Sequence, residues 1–171
     1  MSHTLTRSVP KKNATRTSLG RKGGPPGFKR ASGGVVSYCV HGPGSQVSFP
    51  ASKLVEVLRV GLPVKELDDL QATLAVPMEK LAPMLGISRA TLHRRKAVGR
   101  LDQAESDRVV RFARLMGKAV EVLESEENAR QWLNSPQFGL GGAVPLEYAE
   151  TEVGAREVEN LLGRIEYGVY S

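Results

Sequence analysis

Seven side chains able to meet a nucleic acid crowd into nine positions: Ser88, Arg89, Thr91, His93, Arg94, Arg95 and Lys96. An arginine near the start of a helix reaches the O6 and N7 edges of guanine in a major groove, and hydroxyls accept or donate to several base edges. Cations further along such a helix suit phosphates, which fix register and orientation but carry no sequence information. The bland alternative is a solvated basic face. Other chemistry has thinner support. Cys39 and His41 stand two apart, as a nucleophile and its base would, but in a Gly/Pro-broken segment with no third member in view. His3, His41, His93 and Cys39 lack metal-ligand spacing. The glycine clusters fit neither the dinucleotide fingerprint nor the P-loop. Asp68-Asp69 and Glu126-Glu127 are adjacent pairs that splay apart on a helix and suit solvent or helix-dipole roles. We therefore expect no enzyme, no metal and no cofactor.

Charge distribution favours the nucleic-acid reading. Residues 1–100 hold 17 Lys/Arg against 5 acids, and residues 101–171 hold 7 against 13, so a basic half is joined to an acidic half. Two surfaces with different partners follow, the basic one suited to phosphate backbones. At 171 residues the chain suffices for one domain or two small ones. Aromatics at 5% argue against a β-sandwich or a base-stacking RNA platform. A single cysteine suits a reducing compartment, no apolar run approaches a membrane span, and the N-terminus lacks the apolar centre of a secretion signal. A cytoplasmic protein is expected, with no membrane contact.

The elements that would position the cations read as all-α. Leu81 and Leu85 form the inner face of a first short helix, Ala82 allows close approach, and Gly86 supplies a turn tolerant of positive φ. Ile87 plugs the turn, Ser88 caps the second helix and Leu92 anchors it from below. This is a helix-turn-helix pattern with two departures. Arg95 stands where an aliphatic residue usually packs, and Pro83 lies inside the first helix, where it is tolerated near a first turn. Upstream, Leu54, Val57 and Leu58 mark a helix ended by Gly61, and Pro63 opens another with Leu67, Leu70 and Leu74 inward. Downstream, Asp102-x-x-Glu105 is a capping box opening the longest helix, whose stripe is Val109, Phe112, Ala113, Met116, Val120 and Leu123.

Ser125 caps a further helix, residues 139–142 form a loop, Pro145 begins a short helix, and Gly154 precedes a last one carrying Val158, Leu161, Leu162 and Ile165. The segment 35–40 reads as a short strand, since Val, Val, Tyr, Cys and Val favour extended chain. Residues 1–34 contain eight basic residues and no acids, with much Gly, Pro, Ser and Thr, and read as a disordered arm. That composition also resembles a transit peptide, and an arm tracking DNA phosphates is a further option. The division expected is 1–50 arm and linker, 51–123 DNA-binding region and 124–171 C-terminal domain.

That last region combines Trp132-Leu133-x-x-Pro136, Leu140-Gly141-Gly142-x-x-Pro145-Leu146, Thr151-x-x-Gly154 and Val158-x-x-Leu161-Leu162-x-Arg164-Ile165-Glu166-x-Gly168. The succession resembles the toxin-binding domain of the MbcA/ParS/Xre family of antitoxins, and residues 77–123, with Arg100-Leu101-Asp102 and Asp107-Arg108, resemble the Xre-type DNA-binding half of the same proteins. The resemblance covers about residues 53–171. It implies a RES-domain toxin that consumes NAD as partner, blocked at its active-site cleft by the antitoxin's C-terminal region. It also implies operator DNA of the chain's own operon as a second partner, bound by a homodimer or a larger toxin-containing assembly. The residues suit that. Trp132, Arg164, Glu166, Tyr167, Val169, Tyr170 and Ser171 are candidate toxin contacts, because tyrosines give large contact area at low entropy cost and carboxylates pair with cations of a nucleotide cleft. For Trp132, Val158, Leu161, Leu162 and Ile165 the competing role is closing this chain's own core. Two other readings stay open: a toxin inhibitor without DNA binding, and a transcriptional regulator without a toxin.

Overall fold

The computed structural model describes residues 34–41 and 50–168. All of them belong to one compact unit, Ala31–Ser171. The expected arm, residues 1–33, lies outside the described residues, as do 42–49 and 169–171.

The described chain is helical: α1 (Val35–His41), α2 (Ala51–Val60), α3 (Val64–Leu74), α4 (Met78–Met84), α5 (Arg89–Val98), α6 (Gln103–Leu123), α7 (Glu126–Asn134), α8 (Pro145–Tyr148) and α9 (Glu152–Glu166), with a 3-10 turn at Phe138–Leu140. The fold class is all-α, as the periodicity predicts. The only extended pairing among the described residues is a bridge between Pro63 and Arg100, tying the segment before α3 to the one after α5. Among these residues no helix is long and apolar enough to cross a membrane.

The long helix α6 is the axis of the core. Its capping box forms in full: Glu105 N donates to Asp102 Oδ1 (2.8 Å), and Asp102 N donates to Glu105 Oε2 (2.8 Å). Val109, Phe112, Ala113 and Met116 are fully buried as the stripe predicts, while Val120 is only half-buried. Val110, Leu115 and Ala119 are buried too, which one stripe does not predict. The reason is that α6 packs against α1, α3, α7 and α9 and so buries more than one side. Leu67, Leu70 and Leu74 of α3 are fully buried, and one continuous apolar cluster runs from α1 through α9.

Three local expectations need correction. Residues 35–40 form α1, not a strand. Their valines prefer extended chain locally, but the helix is fixed from outside. The buried Glu66 of α3 accepts from Val35 N (3.0 Å) and Val36 N (2.9 Å), neutralising the orphan donors and positive end of α1. Gly117 then lets α1 lie directly on α6, because a side chain there would strike the Cys39 carbonyl. Pro83 occupies the last turn of α4, not its first, so the amide it lacks removes one bond from a helix that ends one residue later. Gly154 lies inside α9, where its N–H reaches the capping Thr151 Oγ1 (3.0 Å) and a Cβ would collide with the Tyr148 carbonyl.

Since two amides depend on one buried carboxylate, Glu66→Ala should cost about 1–3 kcal/mol, the penalty for orphaning buried donors. Chemical denaturation reads this directly. A midpoint equal to that of the unsubstituted chain would show that α1 docks without it.

Candidate nucleic-acid interface and partner-binding end

The helix-turn-helix forms where the residue types place it. Leu81, Ala82, Leu85 and Ile87 are buried in the core. Gly86 turns the chain at φ +66°, the left-handed region that favours glycine. The turn is closed by Ile87 N donating to the Ala82 carbonyl (2.8 Å) and Gly86 N to the Pro83 carbonyl (2.8 Å). From α6, Arg108 Nη1 donates to the Leu85 carbonyl (3.1 Å). Ser88 caps α5 by accepting from Thr91 N (3.1 Å), while its own hydroxyl donates to Thr91 Oγ1 (2.9 Å). Both hydroxyls thus stabilise the entry of the helix.

None of the α5 side chains is fully buried. Leu92 is half-buried against the core and Arg95, three positions on, shares that inward side. The Arg95 guanidinium is held by two carboxylates: Nη2 lies 2.6 Å from Asp102 Oδ2 and Nε lies 2.7 Å from Glu105 Oε2. The second contact is a charge pairing at close range; the Nε–H does not point along it. The cation that breaks the aliphatic pattern thus latches α5 to the capping box of α6, using the same acids that start that helix. Arg89, His93, Arg94 and Lys96 remain exposed on α5. Four cationic or protonatable side chains on an exposed helix, with a hydroxyl-capped start, are equipped for base edges and phosphates. Of the seven predicted residues, Thr91 and Arg95 are half-buried, and Arg95 is the cation the fold draws inward.

At the other end, Trp132 is half-buried on the core and Arg164 is half-buried on α9. Glu166 is paired with Lys118 of α6, Oε2 to Nζ at 2.8 Å. Tyr167 is 79% exposed just past the helix end. Val169, Tyr170 and Ser171 lie outside the described residues. Val158 and Leu162 are fully buried, so they close the core. Lys80 of α4 pairs with Glu147 of α8 (2.9 Å), and Arg130 Nε and Asn134 Nδ2 of α7 donate to the Thr73 and Leu74 carbonyls at the end of α3 (2.7 and 3.2 Å). The helix-turn-helix and the C-terminal helices are therefore braced on one frame.

Cys39 and His41 are not a catalytic couple. The His41 ring faces the Ser37 carbonyl (3.0 Å) and Glu126 Oε1 (3.1 Å) through its two nitrogens. The Cys39 thiol is raised from the ordinary 9.0 to about 11, chiefly by burial, with Arg114 lowering it and Glu66 raising it. At pH 8 its thiolate fraction is then about a hundredfold below that of an unshifted thiol. Iodoacetamide should label the folded chain about a hundredfold more slowly than the urea-unfolded chain. Equal rates would overturn the burial account, and as Cys39 is the only thiol in the sequence no other confuses the measurement.

Sequence reasoning missed Glu66, Ser106 and Phe138. Ser106 is fully buried and accepts from Leu62 N (2.8 Å), pinning the chain before α3 to α6. Ser106 stands among polar neighbours, Glu105, Asp107 and Arg108, so no local signal marks it as the one that is buried.

Comparison with known proteins agrees with this geometry. Residues 53–114 match the model of the antitoxin Xre-like helix-turn-helix domain, and residues 118–168 match that of the antitoxin Xre/MbcA/ParS C-terminal toxin-binding domain. An "Antitoxin Xre" of Yersinia enterocolitica is 36% identical over 131 residues, 74% of this chain and 88% of that protein. One of Photorhabdus laumondii is 36% identical over 130 residues, covering 73% and 88%. A "Prs ADP-ribosylating antitoxin" of Sphingobium is 25% identical over 127 residues, covering 68% and 80%. With both halves matched in order and the helix-turn-helix built as its pattern requires, the chain belongs to the Xre/MbcA/ParS family of antitoxins.

Proposed function

We propose that this antitoxin silences a RES-type toxin that consumes NAD and represses the operon encoding both. Residues 51–123 read the operator through α5, and residues 124–171 hold the toxin, with the segment from Tyr167 onward entering its active-site cleft. The carrying observation is that α5 keeps Arg89, His93, Arg94 and Lys96 outward while Leu92 and Arg95 turn in, on the same frame that leaves Tyr167 exposed. The name of the Sphingobium relative supports the toxin class, since ADP-ribosyl groups are drawn from NAD. A homodimer, or a larger assembly with toxin, would present two α5 helices to successive major grooves about 34 Å apart.

The test mixes the purified chain with the RES-type protein encoded beside it and with a promoter fragment. NAD loss should stop at a stoichiometric ratio, and the fragment should shift in a gel with strong salt dependence. Continued NAD loss overturns the toxin half. An absent shift overturns the repressor half and leaves an inhibitor alone.

A further inference from the structure

Phe138 is 99% exposed, the most exposed of the large apolar side chains among the described residues. The loop around it is tightly tied. Gln137 N donates to the Ala143 carbonyl (3.0 Å), and Gly142 N (3.0 Å) and Leu140 N (3.1 Å) both donate to the Gln137 carbonyl. The Gln137 side chain donates to the Trp132 (2.9 Å) and Ser135 (3.1 Å) carbonyls at the end of α7. Gly141 and Gly142 take positive φ of +66° and +86°, and a side chain at Gly139 would run into Leu161 of α9. Leu140 packs onto the core. The loop is thus built to turn Leu140 in and hold Phe138 out, with little ordering left for a partner to impose.

The surroundings are those of an interface centre. A quarter of the chain is charged, yet residues 131–146 carry no Lys, Arg, Asp or Glu. Charge depletion around a protruding aromatic marks the core of protein–protein interfaces, not an ordinary solvated loop. Phe138 also lies within the segment 118–168 that matches the toxin-binding domain.

We propose that Phe138 is an aromatic anchor seated in an apolar pocket of the toxin, separate from the cleft that the residues after Glu166 enter. This rests on the toxin-binding reading above, and adds a second point of attachment to it. Two anchors on one rigid frame fix the angle at which the terminal segment approaches, so the pocket on the toxin must be uncharged and wide enough for one ring.

The experiment measures affinity of the full chain for the RES-type toxin made inert by an active-site substitution. Phe138→Ala should weaken binding at least about tenfold, mostly through faster dissociation, as loss of a buried aromatic anchor does. Melting temperature and promoter affinity should not change, because the ring is 99% exposed among the described residues. Phe138→Leu should keep part of the affinity. Val153→Ala, at another exposed apolar position (72%), should match the unsubstituted chain. A chain lacking residues 167–171 is measured alongside. If Phe138→Ala binds like the unsubstituted chain while the truncated chain is weak, the anchor is refuted and the toxin reading stands. If the unsubstituted chain does not bind the toxin, both fall. If Phe138→Ala changes only the sedimentation of the free chain, the ring serves a second copy and the proposal is overturned.

Discussion

In the Arg89→Glu/Arg94→Glu double variant, affinity for the promoter fragment falls by at least about a hundredfold. A bidentate arginine–guanine pair is worth about 1–3 kcal/mol and each phosphate contact adds a salt-dependent share, so losing both and adding repulsion comfortably exceeds two factors of ten. Both arginines are exposed on α5, so the melting temperature should hold. The salt response separates their roles. If both touch phosphates, the slope of log affinity against log salt, measured between about 50 and 200 mM, becomes shallower by about two. If Arg89 reads a guanine, the slope loses about one and discrimination at one base pair relaxes. Arg95 behaves differently: Arg95→Met would unlatch α5 from Asp102 and Glu105 and weaken binding by misaligning the helix, with the slope unchanged. Salt-sensitive binding that persists at full strength in the double variant would place the reader elsewhere on the chain.

What the sequence discloses and what it hides divide along one physical line. Helix faces and caps are local, so the α6 capping box, the Ser88 and Ser125 positions and the leucines of α3 were all legible. Residues whose role depends on a distant partner were not. The segment 35–41 carries strand-forming types, and its helix comes from Glu66 about thirty positions away and from the absence of a side chain at Gly117. Arg95 has the chemistry of a DNA contact, and only the folded position of Asp102 and Glu105 diverts it. The capping-box spacing marks a helix start and says nothing of what else its acids bind. Residues 139–142, three of them glycine, read only as a loop. Its hydrogen bonds and the outward ring of Phe138 exist only once α7 and α9 are packed.

Removing residues 167–171 should release the toxin while leaving DNA binding intact. The cut falls just past α9, whose buried Val158 and Leu162 stay in place, so the core and the brace to α4 are untouched. The last turn of α9 sets where Tyr167 and Gly168 stand. There Lys118 Nζ holds Glu166 (2.8 Å) and also reaches Glu121 (3.3 Å), and Glu166 raises the Lys118 pKa above its ordinary value. Lys118 therefore stays charged throughout the neutral range, although at an exposed site its pairing with Glu166 contributes geometry more than stability. Tyr167, already 79% exposed, supplies a large ring with two torsions to fix on binding, and Tyr170 supplies another. Losing such rings from the centre of an interface commonly costs more than 2 kcal/mol each, so inhibition of NAD consumption should need at least about a hundredfold more truncated chain. The gel shift on the promoter fragment, measured in the same preparation, should match that of the full chain. If the truncated chain still arrests the toxin at a stoichiometric ratio, the active site is blocked by another part of the surface, and Phe138 with its uncharged loop becomes the first place to look.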